Sequence, residues 1–436
     1  MTATAERPNI VLVITHDTGT QLGCYGAGVA TPHLDALAAE GVRFNRAYCT
    51  APQCSPSRAS LITGLYPHVN GMMGLAHRGW VLRPEVRCLP HYLADGGYAT
   101  YLFGFQHESY NNPARLGYQR CDTSSTAAAV VAGKVRACIE RQPDTPFYIV
   151  AGFEETHRPF DRPGYDIDPP DRVTAPPWLP DISPVRAELG QMNGMVKTVD
   201  RAVAEIRAAV ACHPQADNTL FIYTTDHGPA MPRAKGMLYD PGIRTALLMH
   251  WPRGFAGGRQ IDDLIVNVDM MPTLLDAANV PIPTGLHGRT FLPLLRGESY
   301  RPHDHLFAEL TWHDRYNPVR GVRTVRYKYM RSFIEAPLVY MPTDILAGPS
   351  GQALAPEYYG SVRPMEELYD LLADPLERSN LAGEPTHARA VGQLRDAVHL
   401  WMQATDDPLL DADVPGRPGD EQGWGYPFPP PMAATI

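Results

Sequence analysis

The residues best suited to chemistry are a cysteine with an arginine nearby and two pairs of an acid with a histidine. Cys54 precedes Pro56, which suits the first position of a helix, and Arg58 would lie on the first turn. Free N–H groups and the helix dipole at such an N-terminus favour an anion such as sulfate or phosphate. Cys54 is therefore a candidate nucleophile beside an anion site, the alternative being an ordinary buried free cysteine.

Each acid–histidine pair follows a short apolar run. His16 and Asp17 follow one run, and Asp226 and His227 follow another. The runs lack alternation, which is typical of strands buried on both faces of a parallel sheet. Ligands bind beyond the carboxyl ends of such strands, so the two pairs indicate one site if the strands are neighbours. A turn aspartate with a capping role is the alternative for the first pair. The runs are Asn9–Thr15 and Leu220–Thr225.

Two further histidines lie close to the ends of apolar runs. His107 comes soon after the run Tyr98–Phe105, and His157 soon after Phe147–Phe153. An imidazole titrates near neutral pH, so either side chain could transfer a proton. The alternative for each is a hydrogen-bonded core histidine, but a position beyond a strand end favours the site.

The remaining chain predicts an α/β fold of two parts. The 436 residues with 44% apolar content allow one large domain and one small one. The stretch Val185–Cys212 has the spacing of a surface helix in an α/β layer. From about His305 the pattern changes to alternation, which favours an antiparallel sheet with one wet face. We expect a catalytic domain over residues 1–315, with a mostly parallel sheet flanked by helices. A smaller C-terminal domain built on an antiparallel sheet, with a proline-rich tail, would follow over 316–436.

The composition argues against several classes of protein. The net charge of −9 disfavours a surface that binds nucleic acid. No run approaches the roughly 18 apolar residues of a membrane span, and Met1–Pro8 lacks the apolar core of a signal peptide. We therefore expect a cytoplasmic protein without membrane contact. The seven cysteines, without close CxxC pairs, indicate neither a disulfide framework nor a zinc ribbon.

Several motifs give the chain a family resemblance. The stretch Cys54–Gly64 reads Cys-Ser-Pro-Ser-Arg-Ala-Ser-Leu-Ile-Thr-Gly and resembles the signature of the type I sulfatases. The likeness runs from about Asn9 to Leu381, and parts of it look most like the heparan N-sulfatase branch. Other stretches similar to this family are Thr31–Gly41, Lys235–Arg244 and Glu367–Leu371.

The resemblance implies an alkaline-phosphatase-like fold, a modified nucleophile and a metal. Cys54 would be converted to formylglycine by a separate formylglycine-generating enzyme, and a divalent ion, usually calcium, would lie beside it. The reaction implied is hydrolysis of a sulfate ester or sulfamate of a small molecule. The implied metal ligands are His16, Asp17, Cys54, Asp226 and His227. The implied catalytic residues are Cys54, Arg58 and Lys235 for the transferring group, His157 as the acid and His107 as the base.

Two departures from the family pattern leave alternatives open. His16 stands where aspartate is usual, and imidazole suits manganese or zinc better than calcium. Phe105 stands where many sulfatases have a lysine, which leaves room for a singly charged, more substituted anion. The alternative function is therefore a phosphonate monoester or phosphodiester hydrolase with the same formylglycine and metal.

Other readings are weaker, and one concerns assembly. A catalytically inactive binding protein would be favoured if Cys54 were unmodified and the metal absent. A cofactor-independent phosphomutase would use serine or threonine as its nucleophile. The tail from Asp411, rich in proline and aromatic residues, could wrap over this subunit or a neighbour, which would suit a homo-oligomer.

Overall fold

Three sheets organise the protein, which is described by a computed structural model over residues 7–141 and 146–420. The strands in chain order are β1 Asn9–Thr15, β2 Val42–Phe44, β3 Ala47–Tyr48, β4 Ala99–Gly104, β5 Arg120–Asp122, β6 Phe147–Gly152, β7 Thr219–Thr225, β8 Arg244–Thr245, β9 Leu247–His250, β10 Arg259–Ile261, β11 Ile265–Val266, β12 Leu306–Trp312, β13 Tyr316–Arg323, β14 Tyr327–Ser332 and β15 Glu366–Asp370.

Helices lie between most of these strands. They are α1 Pro32–Glu40, α2 Cys54–Thr63, α3 Pro67–Asn70, α4 Leu89–Asp95, α5 Ala128–Glu140, α6 Ser183–Ala211, α7 Asp240–Ile243, α8 Met270–Ala277, α9 Leu292–Arg296, α10 Thr343–Leu346, α11 Pro349–Tyr358 and α12 Ala388–Ala404. Among the described residues, no helix combines the length and the apolar character needed to cross a membrane.

The largest sheet has eight strands in the order β10-β2-β9-β7-β1-β6-β4-β5. β1 pairs in parallel with both β6 and β7, and β4 pairs in parallel with both β5 and β6. Only β9 runs antiparallel to its neighbours, β2 and β7. The four strands predicted to end at polar residues are thus adjacent, in the order β7-β1-β6-β4. The predicted mostly parallel sheet is confirmed.

The absence of alternation in β1 follows from burial on both faces of this sheet. Every residue of β1 is buried, and successive side chains point to opposite sides. Val11 and Val13 belong to one apolar cluster, together with residues of α5 and α6. Ile10, Leu12 and Ile14 belong to a second cluster, together with residues of α2, α4 and α8. Helices therefore cover both faces, as is usual for parallel sheets.

A separate four-stranded antiparallel sheet has the order β12-β13-β14-β15. It packs against α12 through a third apolar cluster that includes Tyr329, Leu368 and Trp401. The expected smaller antiparallel sheet is therefore present. The sheet begins at Leu306, within the segment assigned to the larger domain, and the boundary between residues 315 and 316 stays a prediction.

A buried charge network joins the two parts of the chain. The guanidinium of Arg320, on β13, contacts Asp407 at 2.6 Å and Glu309 at 3.2 Å. Glu309 Oε1 lies 2.9 Å from His68 Nδ1, on α3 of the larger part. All four side chains are buried. Since removing one partner would leave buried charges uncompensated, the network holds the four-stranded sheet in a fixed place on the larger part.

The described part of the C-terminal tail lies on its own subunit. Asp420 accepts a hydrogen bond from the Trp80 indole at 2.8 Å, and the Arg417 guanidinium lies 4.8 Å from the centre of the Trp80 ring system. The Trp312 indole donates to the carbonyl of Val414 at 2.9 Å. The rest of the tail, residues 421–436, lies outside the described residues, and a homo-oligomer stays a prediction.

Candidate active site

The polar residues predicted to form a site meet at the carboxyl ends of four adjacent strands. His16 and Asp17 follow β1, and Asp226 and His227 follow β7. His107 follows β4 and His157 follows β6, so both approach from the other side of β1. Since the carboxyl ends of these parallel strands share one edge, the topology brings all six side chains together.

Cys54 is placed against this cluster by helix α2. The helix begins at Cys54, two residues earlier than the start expected from Pro56, with Gln53 as an extended N-cap residue. Every residue of the helix is buried, and Cys54 itself is only 2% exposed. Its sulfur lies 4.0 Å from Asp17 Oδ1. The predicted nucleophile thus occupies the first position of a buried helix, where the dipole favours a negative charge.

Five side chains form a compact set of possible metal ligands. One ligand atom from each lies within 4.8 Å of all the others. The backbone at Asp17 has a φ of +51°, a left-handed conformation, and its N–H donates to Asp226 Oδ1 at 2.9 Å. This unusual backbone at a cluster of ligands is typical of a functional site. The five residues are His16, Asp17, Cys54, Asp226 and His227.

The surroundings of His227 call for a positive charge in this cluster, from either a proton or a metal ion. Its Nδ1 lies 2.9 Å from the carbonyl of Gly228, and a carbonyl only accepts, so Nδ1 carries the proton. Nε2 is buried, makes no hydrogen bond to the described residues, and lies 2.9 Å from Asp17 Oδ1 and 3.7 Å from Asp226 Oδ1. A lone pair that faces two carboxylates requires a proton or a metal ion between them. The donor set therefore fits a divalent cation.

The pKa shifts agree with this need for positive charge. Burial alone would lower the pKa of His16, but Asp17, Cys54 and Asp226 raise it to about 9. Burial would raise the pKa of Asp17, but His16 and Lys235 hold it well below its usual range. In the same way, His16 and Lys235 outweigh burial and lower the pKa of the Cys54 thiol. Without metal, protons on the imidazoles balance the carboxylates.

Two buried cations border the cluster on different sides. Arg58 is 1% exposed, and its Nε donates to Asp226 Oδ2 at 2.9 Å while an Nη donates to the carbonyl of Thr15 at 3.1 Å. The same guanidinium lies 4.9 Å from the ring centre of Phe105. Arg58 thus orients Asp226, and a contact from Arg58 to substrate stays a prediction.

Lys235 reaches the site from the loop that precedes α7. Its Nζ donates to Asp17 Oδ2 at 2.8 Å and to Asp344 Oδ2 at 3.0 Å. Lys235 is 1% exposed, whereas the side chain of Asp344 is 26% exposed. Lys235 therefore lies between the ligand cluster and the open side of the site, and its contact with substrate stays a prediction.

His157 lies on the open side of the site. Its Nδ1 donates to the carbonyl of Arg158 at 2.5 Å, and its Nε2 lies 4.0 Å from Asp17 Oδ2. Burial, together with Lys235 and His16, lowers the pKa of His157 to about 4. The imidazole is therefore neutral near pH 7 and offers a lone pair to the site. Its predicted role as the acid requires that a bound anion restore its affinity for a proton.

His107 is held by a histidine from another loop. Its Nε2 lies 3.0 Å from Nδ1 of His77, and the two rings stack with centroids 5.2 Å apart. His107 also helps to lower the pKa of the Cys54 thiol. The rings of Phe105 and His16 lie 4.6 Å apart, so Phe105 fills space beside the ligand cluster.

Two residues of the site have no signal in the sequence pattern. His77 meets His107 only because two loops pack together. Asp344 belongs to no motif and follows Lys235 by 109 residues, so no local pattern marks it.

Comparisons with known proteins agree with this geometry. Residues 8–280 match the family model described as Sulfatase, and residues 233–350 match the model described as N-sulphoglucosamine sulphohydrolase, C-terminal. Human N-sulphoglucosamine sulphohydrolase is 30% identical, over 94% of this chain and 92% of that protein. Human arylsulfatase A is 29% identical, over 87% of this chain and 84% of that protein.

Solved structures share the fold at lower identity. A 2-O GAG sulfatase superposes with a TM-score of 0.75 and 22% identity, covering 95% of this chain and 96% of its own. A protein solved with its substrate D-glucosamine-2-N,6-O-disulfate gives a TM-score of 0.72 at 17% identity, covering 96% of this chain and 100% of its own. The expected fold class is confirmed by these superpositions.

Proposed function

Because this chain belongs to the sulfatase family, we propose that it hydrolyses sulfate esters or sulfamates at the site around Cys54. The observation that carries the proposal is the compact set of possible metal ligands packed against the N-terminus of α2, with Lys235 on its open side. This arrangement suits a tetrahedral anion placed next to a nucleophile. Hydrolysis of phosphonate monoesters or phosphodiesters is not favoured, because the relatives reported above are sulfatases and a sulphohydrolase.

The substrate that we propose is an N-sulfated amino sugar. Both the 30% identity to N-sulphoglucosamine sulphohydrolase and the match to its C-terminal family model support this choice. The matched segment, residues 233–350, includes Lys235 and Asp344, which border the site. A small sulfated sugar could reach the cluster from the side where His157 is 34% exposed.

The metal would be held by the side chains of His16, Asp17, Asp226 and His227, with residue 54 completing the set. When bound, a divalent cation supplies charge that neutralises the sulfuryl group and lowers the pKa of the nucleophile. Two imidazoles beside two carboxylates suit manganese or zinc at least as well as calcium, which prefers oxygen ligands. The proposed metal is therefore manganese, zinc or calcium.

Residue 54 would act as formylglycine after modification of the cysteine. Its hydrated aldehyde supplies one hydroxyl as the nucleophile and a second that permits release. His107 contacts the side chain at position 54 and is held by His77, so it is placed to take a proton there.

The chain's other residues bind and orient the sulfate. The first turn of α2 directs its dipole toward the anion, and Lys235 adds a full positive charge. Arg58 fixes Asp226 and so keeps the ligand cluster in shape. His157, with its lone pair toward the open side, is placed to exchange a proton with the leaving oxygen or nitrogen.

Three expectations accompany the proposal. A formylglycine-generating enzyme would mature the protein, the C-terminal tail would support a homo-oligomer, and the protein would work in the cytoplasm.

The proposal is tested by comparing substrates on protein whose metal content and mass at residue 54 have been measured. We expect hydrolysis of N-sulfoglucosamine to be fastest, of nitrophenyl sulfate to be slower, and of nitrophenyl phenylphosphonate to be slowest. Fastest hydrolysis of the phosphonate would contradict the proposed reaction while leaving the ligand set intact.

A cysteine variant tests the role of residue 54. Cys54→Ala should abolish hydrolysis. It should not unfold the protein, because the contact that the sulfur makes with Asp17 Oδ1 is long, at 4.0 Å. Cys88→Ala is the matched control, since Cys88 is equally buried but lies in an apolar cluster away from the site. Activity retained in Cys54→Ala would remove formylglycine from the mechanism.

A further inference from the structure

Asp344 is a carboxylate at the rim of an anion site. It lies on α10, and its Oδ2 accepts from Lys235 Nζ at 3.0 Å. One of its oxygens also lies within 4.8 Å of ligand atoms of Asp17 and His157. Its side chain is 26% exposed, while Asp17 is fully buried. Asp344 is therefore on the outer side of Lys235, between the ligand cluster and the solvent.

The second oxygen of Asp344 has no partner among the described residues. Oδ1 is buried and accepts no hydrogen bond. The preceding residue, Thr343, supplies no donor to this atom, because both its N–H and its hydroxyl donate to Asp314 Oδ2. A buried acceptor without a partner is costly, so such an atom at a binding site calls for a donor from a ligand.

A second metal ion does not explain this atom. Asp17, His157 and Asp344 have the residue types of a metal site. However, Lys235 Nζ already lies 2.8 Å from Asp17 and 3.0 Å from Asp344, so an ammonium group occupies the space between the two carboxylates. A divalent cation placed there would be repelled by the lysine.

A carboxylate also cannot bind the sulfuryl group itself. Its negative charge would repel the sulfate oxygens, which leaves the organic part of the substrate as the group that it faces. We propose that Asp344 determines specificity by accepting a hydrogen bond, through Oδ1, from the N–H of the sugar beside the sulfuryl group. This inference rests on the proposed function. It assigns to Asp344 the preference for an amino-sugar sulfate over an aryl sulfate, which lacks such a donor.

The variant Asp344→Asn changes this one property. Because Lys235 requires an acceptor, the amide oxygen would face Lys235, and the NH2 group would replace Oδ1. The NH2 group would then face the donor of the sugar, so two donors would meet where Oδ1 had accepted. The size of the side chain and its contact with Lys235 would be kept. Glu335→Gln is the matched control, since Glu335 is an exposed carboxylate in the same C-terminal part of the chain.

Binding is measured by calorimetry in a Cys54→Ala background, so that the test does not depend on turnover. Asp344→Asn should weaken binding of N-sulfoglucosamine about 10- to 100-fold. Binding of inorganic sulfate should change by less than about threefold, because the sulfuryl contacts are unaltered. Glu335→Gln should change neither dissociation constant.

Three results would overturn the inference. Equal weakening for both ligands would mean that Asp344 acts only by positioning Lys235. Unchanged binding of the sugar in Asp344→Asn would mean that Oδ1 does not contact the sugar. If the Cys54→Ala protein itself bound no N-sulfoglucosamine, recognition of this sugar by the site would be contradicted. Selective loss in Asp344→Asn, combined with a native enzyme that hydrolyses no sulfate, would uphold the recognition role and refute only the proposed reaction.

Discussion

Lys235 Nζ lies 2.8 Å from Asp17 Oδ2, so the cation on the open side of the site is bonded directly to a candidate metal ligand. Asp17 therefore has two tasks, since it faces the ligand cluster through Oδ1 and the lysine through Oδ2. Through this shared carboxylate, the position of the lysine and the geometry of the metal site depend on each other.

Removing this cation should reduce both catalysis and stability, because Lys235 is buried and its loss leaves the buried Asp17 carboxylate uncompensated. Lys235→Met should lower kcat/KM for a sulfate substrate about 100-fold, because one preorganised positive group is lost from the transferring anion. Steady-state kinetics on metal-analysed protein would measure the effect. Lys134→Met is the control. Lys134 pairs with Asp122, whose side chain is 42% exposed, and neither residue belongs to the ligand cluster. A loss below about threefold would assign Lys235 a structural role only.

Changing His16 should alter which metal the protein retains. His16→Asp replaces a nitrogen ligand with oxygen, so the variant should hold more calcium and less manganese or zinc than the parent protein after dialysis against a mixture of these ions. His16→Ala should bind less of every ion. Mass spectrometry of the metal content gives the answer, with the exposed His33→Ala as the control. Unchanged metal content in both His16 variants would exclude His16 as a ligand.

His287 should make stability depend on pH in a defined window. Its Nδ1 accepts a hydrogen bond from the Tyr66 N–H at 3.2 Å, so protonation of Nδ1 would break that bond. Burial, with His68 nearby, lowers the pKa of His287 from 6.5 to about 4. Between these two pH values the unfolded chain binds a proton at His287 and the folded protein does not. The free energy of unfolding therefore falls as pH drops from about 6.5 to 4.

Denaturant unfolding across that range would measure the effect of His287. The variant His287→Asn keeps an acceptor oxygen but cannot titrate, so its unfolding free energy should decrease less between pH 6.5 and pH 4 than that of the parent. Identical pH profiles for the two proteins would show that His287 does not contribute.

The buried network around Arg320 should dominate the attachment of the four-stranded sheet. Arg320→Met leaves Glu309 and Asp407 without their cation, and we expect a loss of about 3–5 kcal/mol in unfolding free energy. The control is Arg326→Met, because that guanidinium is 57% exposed in its pair with Asp370 and should contribute less than about 1 kcal/mol. Similar losses of unfolding free energy in the two variants would show that Arg320 contributes no more to stability than an exposed ion pair.

The sequence was sufficient to predict the part of the site that depends on strand ends. β1 and β7 are buried on both faces, so their apolar runs mark them, and the polar residues that follow must lie at the sheet edge. The position of Cys54 was predictable for a similar reason, because proline and the helix pattern fix where the helix begins to within two residues.

The remaining contacts depend on how distant segments dock. Asp344 reaches Lys235 from a four-residue helix in the C-terminal part, and nothing local to either residue encodes their meeting. The pairing of His77 with His107 likewise joins two loops through packing. Arg58 carries a positive charge that suits an anion, but only the structure shows that two of its nitrogens are bonded to Asp226 and Thr15.

The complete burial of α2 limits when another protein could reach the side chain at position 54. A second protein can reach the side chain at position 54 only while the helix is still unpacked, because Cys54 is 2% exposed afterwards. If that residue is modified, the modification must therefore precede folding. Protein that folds in a host without the modifying enzyme would keep its thiol, and later addition of that enzyme to the purified, folded chain would not restore activity.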